Sequence, residues 1–207
     1  VIPRLCYISD GERGTAGRPL AEVIRLAAKG GVGLVVLRER SLPDAQLGEL
    51  VASLASLRRA GLRVVISRRL DLARAHGLDG VHLAADAVPT QVARRWLGPL
   101  ALIGYSAHSG QEARRAAQEG ASYVTLSPIY PTASKPGVPG RGPGWLSDAT
   151  KDLGIPALAL GGVTAANAGE VLEAGAWGVA VVSAIGAAPD VELAARELQN
   201  QILERSQ

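Results

Sequence analysis

Five short clusters carry most of the chemistry available to this chain of 207 residues. Arg38-Glu39-Arg40 sets two guanidinium groups around a carboxylate, and Thr132-Ala133-Ser134-Lys135 adds two hydroxyls and an ammonium. Together they make a cationic, donor-rich set suited to a carboxylate or phosphate, each charge-assisted hydrogen bond contributing about 1.5–3 kcal/mol. Ser67-Arg68-Arg69 adds another hydroxyl and two more cations. Gly161-Gly162 lets backbone approach a ligand, and the following Val163-Thr164 is expected to open a helix whose free amides attract phosphate. Val182-Ser183-Ala184 offers a second set of amides and a hydroxyl. Each cluster also has a plainer use. The glycines suit tight helix–strand packing, and Arg38-Glu39-Arg40 suits an ion-paired strand end.

Groups able to move a proton are few. Of the three histidines, His108 falls at a strand end, His82 reads as a core or strand-end histidine, and His76 lies near a helix end. Glu39 and Tyr130 are further candidates to reach a shared pocket. Cys6 is the lone cysteine; it forms no internal disulfide and reads as a packed strand residue.

The elements that would position these residues follow a regular rhythm. Short apolar, β-branched runs occur at 4–9, 33–37, 63–66, 80–83, 101–105, 123–126, 157–160 and 178–182. Helical periodicity fills the intervals, as at 20–29, 44–59, 110–119 and 165–174, and Gly30-Gly31, Gly61, Gly77, Gly120 and Gly175 mark helix ends. Eight such repeats predict an α/β fold, a (β/α)8 TIM barrel forming a single domain over 1–207. A doubly wound open sheet is the rival, and the missing early GxGxxG counts against it. In a barrel every cluster above lands at one mouth. The longest irregular stretch, 127–143, is long enough to serve as a lid or clamp.

Hydrophobic residues make up 47% of the chain without a single Phe, as suits strands covered on both faces. Arginine pairs at 58–59, 68–69, 94–95 and 114–115 are dispersed rather than striped, so nucleic acid is not expected as a partner. No apolar run has the length of a membrane span, and no secretory signal is read at the start, so a cytoplasmic protein is expected. A homo-oligomer is left open.

An ordered series of motifs carries a family resemblance. Tyr7-Ile8-Ser9-Asp10, Leu37-Arg38-Glu39-Arg40, Asp79-Gly80-Val81-His82-Leu83, Gly104-Tyr105-Ser106-Ala107-His108-Ser109, Ser127-Pro128-Ile129-Tyr130-Pro131-Thr132, Leu160-Gly161-Gly162-Val163 and the stretch from Gly178 to Ile185 resemble the thiamine-phosphate synthase/TenI superfamily. The resemblance implies a (β/α)8 barrel and a place in thiamine metabolism. Its synthase branch joins a pyrimidine pyrophosphate to a thiazole phosphate with Mg²⁺; its TenI branch moves a proton to aromatise a thiazole carboxylate phosphate without metal. The positions that hold metal carboxylates in the synthases correspond here to Arg68 and Ala87. Mg²⁺ needs hard oxygen ligands, so synthase activity is disfavoured and no metal or other cofactor is expected, Mg²⁺ entering only with the synthase alternative.

The expectation is therefore a TenI-like thiazole tautomerase, which Arg38-Glu39-Arg40 and Gly140-Arg141-Gly142 also resemble. The histidine used as acid/base in that branch corresponds to Pro128, leaving His108 and Glu39 as catalytic candidates. Substrate, a phosphorylated thiazole or thiamine phosphate, is expected on Arg38, Arg40, Ser67, Thr132, Ser134, Lys135, Gly161, Gly162, Val182 and Ser183. A non-catalytic protein that senses thiamine phosphate or its thiazole precursor is the third reading.

Overall fold

The sequence Leu-Cys-Tyr-Ile of strand β1 (Leu5–Ile8) shows in four residues how the sheet is built. Leu5 and Tyr7 join the outer core beneath the helices, while Cys6 and Ile8 join a separate cluster inside the barrel. Both faces are buried, so a nearly continuous apolar run forms a strand although it lacks polar alternation. The same division recurs through β2 (Leu34–Leu37), β3 (Arg63–Ser67), β4 (Gly80–Leu83), β5 (Leu102–Ala107), β6 (Tyr123–Leu126), β7 (Ala157–Leu160) and β8 (Gly178–Val181). The eight strands pair in parallel in chain order, and β8 closes on β1 through Leu5↔Val179, Cys6↔Ala180 and Tyr7↔Val181. The closed (β/α)8 barrel is as expected.

The structure, a computed structural model, describes residues 1–205, without the side chains of residues 12 and 13. Its helices are α1 (Gly11–Thr15), α2 (Leu20–Lys29), α3 (Asp44–Ser53), α4 (Ala55–Arg59), α5 (Leu70–Ala75) and α6 (Thr90–Leu97) in the first part of the chain. They continue with α7 (Gly110–Gln118), α8 (Gly142–Thr150), α9 (Ala168–Glu173), α10 (Ser183–Gly186) and α11 (Val191–Glu204). None of them is long and apolar enough to cross a membrane.

Three expectations need local correction. The helical stretch 44–59 is interrupted at Leu54, which separates α3 from α4. The irregular stretch after β6 ends sooner, because α8 already opens at Gly142 with Pro143 in its first turn. No helix starts at Val163-Thr164. There the chain forms a turn in which the Thr164 amide donates to Asn167 Oδ1 (2.8 Å), and α9 begins only at Ala168.

The barrel interior grades from apolar to polar toward the strand C-termini. Cys6, Leu34, Val65, Leu158 and Ala180 fill the lower part, with Tyr123. Above them a buried polar chain runs from Tyr123 Oη to His82 Nδ1 (3.0 Å) and from His82 Nε2 to Ser106 Oγ (2.9 Å). Gly104 makes room for it. A Cβ there would lie 2.3 Å from His82 Nδ1 and 2.4 Å from Tyr123 Oη, so this strand position excludes any side chain.

Candidate active site at the barrel mouth

A cavity of about 830 Å³ occupies the barrel mouth, framed by the loops that leave the strand C-termini. The expected substrate-binding residues and the two catalytic candidates line it: the cationic pair Arg38 and Arg40 with Glu39; Ser67 and His108; Thr132, Ser134 and Lys135; Gly161 and Gly162; Val182 and Ser183. Parallel strands in one register bring together residues up to about 150 positions apart, as barrel topology requires.

On the β1–β2 side, the buried Ser9 Oγ accepts from the Arg38 amide (3.0 Å), which fixes the strand end from which the Arg38 side chain leaves. That side chain forms an ion pair with Asp10. Glu39 accepts from the Gly11 amide at 3.3 Å. At the next two strand ends Arg68 pairs with Asp86, and Arg69 bridges Asp44 (3.1 Å) and Asp71 (2.7 Å). The Arg68 guanidinium holds the Asp86 carboxyl below its ordinary range by direct hydrogen bonding, with Arg40 adding a smaller effect at longer range. The side chains of Arg40 and Lys135 make no hydrogen bond or ion pair among the described residues. They are the cations of the mouth most open to an incoming anion.

His108 is held in one tautomer. Its Nδ1 lies 2.9 Å from the Ser127 carbonyl oxygen, which can only accept, so Nδ1 carries the hydrogen and the neutral ring keeps its lone pair on Nε2. The His108 amide donates to Glu112, while Ser109 caps α7 by accepting from the Glu112 amide (3.1 Å). Tyr130 does not reach the cavity. Its hydroxyl donates to Glu170 on α9 (2.8 Å), and burial followed by that carboxylate pushes its pKa up to about 12. Cys6 is fully buried, and burial raises its thiol pKa, as befits a packed strand residue.

The β6 loop is tied down at both ends. Ile129 and Tyr130 amides donate to the Leu160 and Gly161 carbonyls, and the Arg141 and Gly142 amides return to the Pro128 and Ile129 carbonyls. Gly161 and Gly162 have φ of +97° and +66°, which favours glycine. A Cβ on Gly162 would meet the Pro131 carbonyl at 2.6 Å and Tyr130 Cβ at 2.7 Å. Packing is thus a firm reason for the glycine pair, although not against a helix. The amides of Gly162 and Val163 remain without a hydrogen-bond partner among the described residues, beside the first-turn amides of α10 on the neighbouring strand. Lys135 leaves the loop's outer turn, its pKa lowered by partial burial and secondarily by Arg141.

Sequence reasoning missed Asp10 and Asp86 as partners of the mouth arginines, and it missed His82 as a cavity residue. Asp10 lies one residue beyond the apolar run 4–9, and Ser106, one residue beyond the run 101–105, falls inside β5, which extends to Ala107.

The sequence profile of the thiamine monophosphate synthase family matches residues 5–185. The chain belongs to that family. A thiamine-phosphate synthase of Methanoculleus marisnigri is 42% identical over 198 residues, covering 95% of this chain and 94% of that protein. One from Natronomonas pharaonis is 42% identical over 203 residues, with 95% and 94% covered. Among solved structures, the thiamine phosphate pyrophosphorylase of Pyrococcus furiosus superposes with a TM-score of 0.87 at 32% identity, covering 98% of this chain and 96% of that one.

Membership in the thiamine monophosphate synthase family is as the motifs implied, but the tautomerase branch is not. Relatives alike over nearly the whole chain are named synthases, and this overturns the TenI-like reading. The absence of two metal carboxylates does not by itself exclude the synthase branch. Carboxylates for a metal are one way to meet negative charge; a mouth holding Arg38, Arg40, Arg68, Arg69 and Lys135 contains another. Pro128, where a proton-moving histidine would be needed, already pointed away from the tautomerase.

The residues present do not fit Mg²⁺. Among the described residues no group of three or more His, Cys, Asp and Glu could hold an ion. Of the acidic groups at the mouth, Asp10, Asp44 and Asp86 are each engaged by a guanidinium, and Glu39 is turned to the Gly11 amide.

Proposed function

We propose that this chain, acting as a single barrel domain, couples a pyrimidine pyrophosphate to a thiazole phosphate to give thiamine phosphate. The observation that carries the reading is the placement of two donor-rich sets, each suited to an anion, at separate strand ends of one mouth. Amides of Gly162 and Val163 and the Ser183 turn follow β7 and β8, while Arg38, Arg40 and Arg68 follow β2 and β3. Around the closed ring of eight, β3 stands four strands from β7 and three from β8, and β2 three and two. With strands about 4.8 Å apart and tilted, the ring is roughly 15 Å across, room for two substrates meeting head to head with their phosphates outermost.

In this reading the monophosphate of the thiazole rests on the β7–β8 amides, where backbone donors recognise phosphate without needing a charged side chain. The diphosphate of the pyrimidine faces the guanidinium groups. Lys135, Thr132 and Ser134 reach over from the β6 loop, and Ser67 adds a hydroxyl from the end of β3. His108, with Nδ1 fixed on Ser127, offers Nε2 as an acceptor for a substrate N–H. Glu39, anchored on Gly11, closes the β2 side. Binding both partners in line contributes through proximity, and the reaction needs no proton shuttle at position 128.

The test is direct. Purified protein incubated with the pyrimidine pyrophosphate and the thiazole phosphate, with and without added Mg²⁺, is expected to form thiamine phosphate and inorganic diphosphate in equal amounts, followed by chromatography. Absence of product under both conditions refutes the reading.

A further inference from the structure

Arg68 differs from its neighbours in its backbone. It is a non-glycine residue with φ of +66°, in the left-handed region where side chains are disfavoured. Its backbone is clamped there: the Arg68 amide donates to the His82 carbonyl (3.0 Å), and its own carbonyl accepts from the Leu70 amide (3.1 Å). Glycine would satisfy that turn without strain, so the turn itself does not call for an arginine. The side chain, 44% exposed, extends from this fixed point into the mouth.

Its ion-pair partner is easily displaced. The Asp86 side chain is 71% exposed, and a solvated pair of this kind contributes little to holding either group. A diphosphate carries more charge and offers several acceptor oxygens in the geometry that a guanidinium fork matches. Arg40, without a partner of its own among the described residues, is close enough to influence Asp86 and so belongs to the same local field.

We infer that Arg68, supported by Arg40, takes over the task that a divalent cation would otherwise perform on the leaving diphosphate, so that coupling proceeds without metal. The inference rests on the synthase reading above. In the step itself the thiazole nitrogen lone pair forms the C–N bond to the pyrimidine methylene carbon. The bond from that carbon to the diphosphate oxygen breaks, its electron pair stays on that oxygen, and the guanidinium donates hydrogen bonds to the departing diphosphate. No proton, oxidant or further reactant enters.

Two measurements on the full chain in EDTA test this. Calorimetric titration with inorganic diphosphate is expected to show binding that weakens about tenfold or more in Arg68→Gln, the loss of one charge-assisted contact. Thiamine phosphate formation is expected to continue in EDTA, and to fall about 100-fold in kcat for Arg68→Gln with partial recovery in Arg68→Lys. Diphosphate binding that requires Mg²⁺, or an Arg68→Gln variant with unchanged binding and rate, overturns the inference. Product formed only when Mg²⁺ is present overturns it while leaving the coupling reaction standing. No product with or without Mg²⁺ overturns both.

Discussion

Lowering the pH from 7 to 5 should destabilise this protein through one residue, His82. It is 6% exposed inside the barrel, with Nδ1 and Nε2 both engaged by neutral hydroxyls. Burial, aided by the positive charge of Arg38, lowers its pKa from 6.5 to about 4. The sign follows from proton linkage. The unfolded chain takes up a proton on His82 as pH drops through 6.5, whereas the folded chain refuses it until about pH 4. Stability contributed by the neutral histidine is therefore present above pH 6.5 and lost as pH falls toward 4. From pH 7 to pH 5 the loss is about 2 kcal/mol, and most carboxylates stay ionised over that window. Urea unfolding followed by circular dichroism at pH 7, 6 and 5 measures it. The comparison protein is His82→Gln, which should be weaker at pH 7 by about 1–3 kcal/mol because Tyr123 and Ser106 lose matched partners. Its pH dependence should be flatter by the same 2 kcal/mol or so, and His76 and His108 cancel because both proteins contain them. Equal pH dependence in the two proteins would refute the reasoning.

Gly162→Ala combines a positive φ with contacts of 2.6 and 2.7 Å to the β6 loop, so a loss of about 2–4 kcal/mol is expected in thermal or urea unfolding. Gly104→Ala should drive a methyl into the His82–Tyr123 pair and lower stability by about 1–3 kcal/mol, with a near-ultraviolet circular dichroism change from the displaced Tyr123. Lys135→Gln removes a cation that bonds to no described residue; stability should be unchanged while KM for a phosphorylated substrate rises about tenfold.

Architecture was legible because a barrel strand announces itself twice, as a short aliphatic run and as a unit in a count of eight. Runs such as 80–83, 123–126 and 157–160 coincide with β4, β6 and β7, since Gly, Asp and Pro at their edges leave few alternatives. The mouth was legible for the same reason: once the strands are placed, their next residues must converge. Pairings across the mouth were not legible. Arg38 with Asp10 and Arg68 with Asp86 join residues 28 and 18 positions apart, and nothing in local pattern says which carboxylate an arginine will choose. The Gly161-Gly162-Val163-Thr164 run imitates a helix start, but the Asn167 side chain captures the Thr164 amide and the Gly162 carbonyl, holding a turn there instead. The branch of the family was not legible from Arg68 and Ala87, because the absence of a metal carboxylate does not say which reaction the remaining residues serve.

The ties on the β6 loop give the mouth a modular character. Residues 128–130 and 141–142 behave as stitched seams, so only the arc between them, bearing Thr132, Ser134 and Lys135, is at liberty to vary. Residues added to or removed from that arc change how far the ammonium reaches over a substrate, yet the load never passes to the strands beneath. One barrel can thereby be refitted for substrates of different length by editing a single bight of chain, with the amides of Gly162 and Val163 kept as a fixed point of reference.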